Sequence, residues 1–271
     1  MEGFEPKGEN PTPSAYRFLN NSVKMANVKE IIYAIEDYKA NIKSVLIFTI
    51  PFLISLLISI GFSHLTFLAI GGEFLRIGNI PFISLFELAM LFISVGIALY
   101  LIAFAFTGIS LVVKEGRISK IRNVLFEEIF WHRLNKVFLF QYFIFLLIFL
   151  IQLLIYVLSL PSFIFLILSF FITYIFFFVP YAIVIDDYDL SVAIHKSLVF
   201  LIKQPLLPLI WAIIGSLMIV VFAILFMTFF DYSIARYLVL LINAFFIAPF
   251  LIVYGAHLYL RKYPMTLEVF R

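Results

Sequence analysis

Long apolar runs separated by short polar or turn-forming stretches organise the whole chain. Six such runs fall at residues 44–62, 83–113, 137–158, 162–185, 205–230 and 234–260. A helix needs about 20 mostly apolar residues to cross a hydrocarbon core roughly 30 Å thick, because it rises about 1.5 Å per residue. Helices and closed barrels are the two structures that satisfy their backbone groups in lipid. Barrel strands would alternate in polarity over about 10 residues, and these uninterrupted runs do not. The pattern therefore predicts an all-α integral membrane protein with six transmembrane helices. Pro161 lies between the third and fourth runs, and Asp231 to Ser233 between the fifth and sixth. The connection 63–82 carries Gly71, Gly72, Gly78 and Pro81. These three turn segments are placed on one side of the membrane. Residues 1–26 read as a weakly ordered tail, 27–262 as the membrane domain and 263–271 as a second tail. The segment ahead of the first run is polar and has no early apolar core before a cleavage site, so no signal peptide is expected.

On the opposite side the polar segments resemble one another. Asn27 and Glu30 form a capping-box-like start to a helix with Val28, Ile31, Ile32, Ile35 and Ile42 on one face. Lys29, Glu36, Asp37 and Lys39 occupy the other face, the pattern of a helix lying in the headgroup plane. Asp189 is expected to cap a second such helix through Ile194, Ser197, Leu198 and Leu201. Ser119 precedes a third, through Ile121, Leu125 and Ile129, with the next span beginning near Lys136. Three repeated units follow: 27–113, 119–185 and 189–260, each an amphipathic interfacial helix plus a transmembrane helix pair. The returning spans of the last two units share a Phe-Phe pair ahead of proline, at Phe177, Phe178 and Pro180 and at Phe245, Phe246 and Pro249.

Composition and charge refine this picture. The chain is 64% hydrophobic and 13% charged, against roughly 45–50% and about 25% for soluble domains. Every Lys and Arg except Arg76 and Arg236 falls on the side of the interfacial helices. Loops rich in Lys and Arg stay cytoplasmic, so a multi-pass protein of the cell membrane with both termini inside is expected. The net charge of +3 is too small to argue for a nucleic-acid partner. Cysteine is absent, which removes disulfides, thiolate metal sites and cysteine nucleophiles.

Candidate chemistry is sparse. Charged residues at the bilayer centre usually mark ion or proton pathways, and no span carries one near its middle. Glu87 sits near the outer end of the second span. The midplane polar groups, Gln152, Thr173, Tyr174 and Asn243, are neutral. Asp186, Asp187 and Asp189 make the densest acidic cluster. Carboxylates at that spacing suit a hard cation, but helix capping explains them more simply. Glu128 and His132 share a helix face, too few ligands for zinc. No GxSxG, Walker A or GxGxxG sequence occurs, so neither catalytic residues, a metal nor a cofactor is expected. Pro51, Pro180 and Pro249 lie toward the cytoplasmic side, where each removes a helix hydrogen bond and tends to kink its span. Kinks at that depth, with Asn243, mark a candidate cavity or hinge.

Two stretches, VKEIIYAIEDYKANIKSVLIFTIPFLI (28–54) and FFFVPYAIVIDDYDLSVAIHKSLVFLIK (176–203), carry a family resemblance. Their order of amphipathic helix, span, turn and span is similar to the glycerophosphoryl diester phosphodiesterase membrane-domain family and its stand-alone six-span relatives. That family has a Pro-containing span end, an acidic turn and a helix bearing Ser. Pro180, Asp186, Asp187 and Ser197 occupy the similar places here. The resemblance covers most of residues 25–262 and implies the fold; without a soluble phosphodiesterase domain it does not imply phosphodiesterase activity. The expected function is a non-enzymatic membrane scaffold or accessory protein, whose collar of amphipathic helices docks a soluble or membrane protein partner at the cytoplasmic face or senses the lipid surface. The alternative is a carrier or binder of a lipid or other apolar solute through a cytoplasm-facing cavity.

Overall fold

The computed structural model describes residues 30–60, 65–70, 72–77, 85–118 and 128–261. Helix α1 is helical over residues 30–40 and is followed by α2, Ile42–Ile60. Two strands, β1 (Leu65–Ile70) and β2 (Gly72–Ile77), pair antiparallel with Leu65 opposite Ile77 and Ile70 opposite Gly72. The remaining elements are α3 (Leu85–Ile118), α4 (Glu128–Val157), α5 (Ser162–Ile175), α6 (Val179–Asp186), α7 (Leu190–Lys203), α8 (Leu206–Phe229), α9 (Tyr232–Ile242), a π-helical segment (Asn243–Ile247) and α10 (Ala248–Leu260).

Five segments are long and apolar enough to cross a membrane: Phe92–Glu115, Phe130–Ile155, Phe163–Asp186, Leu206–Phe229 and Tyr237–Leu260. A shorter apolar helix, Ile42–Ser55, accompanies them. Large apolar side chains cover the outside of this bundle. On α8, Ile213, Leu217 and Ile224 are each more than 60% exposed. A surface of that kind is stable only in contact with lipid.

Three differences from the sequence reading have physical causes. The chain does not break near Lys136: α4 runs without interruption from Glu128, since no Pro or Gly interrupts it. Its beginning lies within the expected middle interfacial helix, whose residues 119–127 fall outside the described ones. The fourth run is two helices, α5 and α6, separated by turn residues Phe176 to Phe178 just ahead of Pro180. The sixth run is also divided, by the π segment ahead of Pro249. The shared Phe-Phe…Pro pattern thus marks a helix irregularity in both spans. Part of the expected turn-rich connection 63–82 forms the hairpin, which packs against α2, α4, α5 and α10.

The core is built by the returning helices. α3, α6 and α10 pack on one another, and α10 is buried along its full length except for half-buried Phe250. Aromatic rings fill the junction: Phe106 lies 4.8 Å from Tyr181, Phe177 lies 5.0 Å from Trp211, and Phe178 lies 4.7 Å from Phe200. Gly255 admits the Tyr181 side chain, since a Cβ there would stand 2.0 Å from its hydroxyl oxygen. Gly108 does the same for Phe48 on α2.

Candidate functional site

Side-chain ion pairs of the described residues gather where α1, the start of α4, the α6–α7 turn and the end of α10 meet. The α6–α7 turn begins with Asp187 in the left-handed region, φ 59°, a conformation that Asp tolerates better than most residues. This turn projects three carboxylates in different directions. Tyr259 on α10 donates its hydroxyl to Asp186 Oδ2 at 2.5 Å. Arg133 on α4 donates from Nε to Asp187 Oδ1 at 3.1 Å. Lys136, one turn further along α4, donates to Asp189 Oδ1 at 2.7 Å. The hydrogen bond from Arg133 is the main cause holding the Asp187 carboxyl below its ordinary range, against an opposing effect of partial burial. Lys136 lowers Asp189 in the same way.

The acidic cluster is thereby assigned. Asp189 does occupy the cap position of α7, and its backbone carbonyl accepts from Ala193 N at 2.8 Å. Its carboxylate, however, makes no cap hydrogen bond and turns to Lys136 instead. A charge-assisted bond to a lysine competes well with a neutral backbone amide. Among the described residues no group of three or more His, Asp or Glu is arranged to hold a metal ion.

A second contact joins α1 to α10. His257 is 3% exposed, and its Nε2 lies 2.8 Å from Asp37 Oδ2, a close approach without hydrogen-bond alignment, while Nδ1 meets no acceptor among the described residues. Beside it, Tyr38 donates its hydroxyl to the carbonyl of Phe245 at 2.9 Å. Pro249 explains why that carbonyl is free: residue 249 would supply its helical N–H, and proline has none. Partial burial raises the Tyr38 hydroxyl above its ordinary value. Helix α1 therefore turns Glu30, Ala34 and Asp37 inward, with Glu30 and Ala34 buried. Ile32, Ile35 and Ile42 point outward, at 47%, 39% and 37% exposure. The apolar face foreseen in the sequence is therefore split, since Ile31 packs against the core and Glu36 and Lys39 are exposed together with the outward isoleucines.

The remaining sequence candidates scatter. Pro51 is half-buried inside an unbroken α2, while Pro180 and Pro249 are buried second residues of α6 and α10. Asn243 opens the π segment, half-buried, with its Oδ1 lacking a described partner. His132 is exposed on α4. Glu87 and Glu128 lie in the first turns of α3 and α4, and their side chains are outside the described set. The structure packs α2, which carries Pro51, on the π segment that precedes Pro249. A shallow apolar groove of about 370 Å³ runs there, lined by Leu46, Ile47, Ile50, Phe245 and Phe246 and opening sideways. Pro180 does not line it. Sequence reading missed His257, Arg133, Lys136, Tyr38 and Tyr259. Each is a polar residue within or beside an apolar run, a signal present in the sequence that carries no partner's address.

Comparison of the chain with protein-family profiles, with curated proteins and with solved structures finds no match.

Proposed function

We propose that this chain is a six-span, non-enzymatic scaffold or accessory protein of the cell membrane, with both termini cytoplasmic. Its three units place a collar of amphipathic helices around the cytoplasmic ends of the returning spans. One observation carries this reading: the ion pairs among described residues all tie collar elements at that end. The ion pairs Arg133–Asp187 and Lys136–Asp189 join α4 to the α6–α7 turn, and the Asp37–His257 contact joins α1 to α10. Such ties hold a platform in one shape. They would hinder the rocking of one half against the other that alternating access requires. Helix α7 fits the collar: Ala193, Ser197 and Leu201 are buried, while Val192, Val199 and Ile202 are exposed beside Lys196 and Lys203. That is the side-chain arrangement of a helix resting at the lipid interface.

Native mass spectrometry of the protein, extracted gently from its own membrane, tests the reading. Co-purification of one soluble protein at fixed stoichiometry is the expected result. A small apolar solute at fixed stoichiometry, with no protein partner, would replace the scaffold by the carrier. Orientation is tested separately, because the chain has no native cysteine. A membrane-impermeant maleimide should label Tyr232→Cys on intact cells and Lys203→Cys only after lysis. The reverse pattern would invert the topology.

A further inference from the structure

The groove between α2 and the π segment differs from ordinary lipid-facing surface in three ways. Its lining is wholly apolar, and Ile47, Ile50 and Phe246 are 55%, 54% and 51% exposed, so it is open to an elongated apolar guest from the side. Its wall is a π-helical segment, a geometry often found at functional positions. That wall is also fixed, since the Phe245 carbonyl is held by Tyr38 at 2.9 Å. Beyond the lining, along the same face of α2, stands a charge. Lys43 is exposed, and residues 43, 46, 47 and 50 follow the i, i+3, i+4, i+7 spacing that aligns side chains on one helix face. Lys39 is exposed one turn earlier. A lysine at that height lies at headgroup level, while the apolar lining extends below it into the acyl region.

We propose that this groove is a binding site for one anionic phospholipid of the inner leaflet. An acyl chain lies between Ile47, Ile50 and Phe246, and the headgroup phosphate pairs with Lys43. Neither groove has a basic residue in its lining; Lys43 continues the lined face of α2 by helical spacing, and the second lateral groove, of about 470 Å³ between Phe92, Gly96, Phe138 and Tyr142, serves as an internal comparison. The site needs the membrane placement given above, with residue 43 at the cytoplasmic end of α2, but not the scaffold role.

The test uses the full chain in nanodiscs of phosphatidylcholine containing a minority of phosphatidylglycerol, followed by native mass spectrometry. One retained phosphatidylglycerol per chain is expected, enriched over its share of the bilayer. Lys43→Gln should lower that enrichment about fivefold, the effect of one basic residue near a membrane surface, and Lys43→Arg should preserve it. Ile50→Trp, which fills the groove, should remove the retained lipid altogether. Ile224→Trp, on the remote exposed face of α8, should change nothing and reports whether an added tryptophan is tolerated. Equal retention of both lipids by the unaltered chain would overturn the site, as would an enrichment that survives Lys43→Gln. Neither result touches the search for a protein partner, so the two readings fail separately.

Discussion

Replacing Gly108 by alanine is expected to destabilise the protein by about 2 kcal/mol, whereas Gly96→Ala on the same helix should be neutral or mildly stabilising. A Cβ at position 108 would stand 2.1, 2.2 and 2.6 Å from three ring carbons of Phe48. The ring has little room to yield. Phe48 is 4% exposed and lies between Phe104, at 5.8 Å, and Phe130, at 6.3 Å. Helix propensity favours alanine over glycine by about 1 kcal/mol, so the clash must exceed that gain before a net loss appears. At Gly96 the nearest side-chain atom to a new Cβ is Tyr142 Cε2 at 3.7 Å, ordinary contact distance. There the propensity gain acts alone. The measurement is the apparent unfolding temperature of each variant in one detergent at one scan rate, since unfolding of such proteins is often irreversible. Phe48→Leu should recover most of the loss in the Gly108→Ala background, because it removes the ring that the methyl meets. Equal stability of the two alanine variants would show that α2 and α3 do not approach at Gly108.

The apolar runs were readable because span length is set by bilayer thickness, a constraint every membrane helix must satisfy locally. Their subdivision was not read: prolines were expected to kink three spans, yet the chain divides ahead of Pro180 and Pro249 while Pro51 sits within an unbroken α2. The bounds moved where a local rule met a tertiary one. α4 extends outward from its apolar run because Arg133 and Lys136 find carboxylates on the α6–α7 turn, a pairing more than fifty residues away in sequence. Helix packing was not readable. Helices as evenly apolar as α3, α4 and α10 present no distinct face, so nothing local says that α10 is enclosed while α8 is left to the lipid. The same applies to Gly108 and Gly255, whose value lies in the ring that each admits from another helix. On α1 the apolar stripe was legible but its direction was not: Ile32 and Ile35 face out, Ile31 packs on the core, and Asp37 of the polar face turns toward α10 while Glu36 and Lys39 stay exposed.

That inward turn of Asp37 makes the contact between α1 and α10 a point of large expected effect. Removing His257 as His257→Phe should cost about 2 kcal/mol, and Asp37→Ala a similar amount. The imidazole is 3% exposed and the Asp37 side chain 25%. Each partner left alone keeps a desolvated polar group that water cannot reach as well as it does in the unfolded chain. The double variant should cost clearly less than the sum of the two, by at least about 0.5 kcal/mol, as expected for groups in direct contact. Packing loss alone would instead add. A second readout separates release of α1 from general loosening. Lys39 and Lys43 are exposed at the end of α1 and the start of α2, so trypsin can cut there once α1 swings away from α10. Cleavage at Lys39 should speed up in both single variants before any cut at Lys203 accelerates. Tyr38→Phe, which removes only the hydroxyl donated to Phe245, should give a smaller effect in the same direction. Unchanged cleavage at Lys39 in all three variants would mean that α1 is held by its buried Ala34 and its continuity with α2, not by its polar edge. The contacts at that end would then rest on the α6–α7 turn, through Asp186, Asp187 and Asp189.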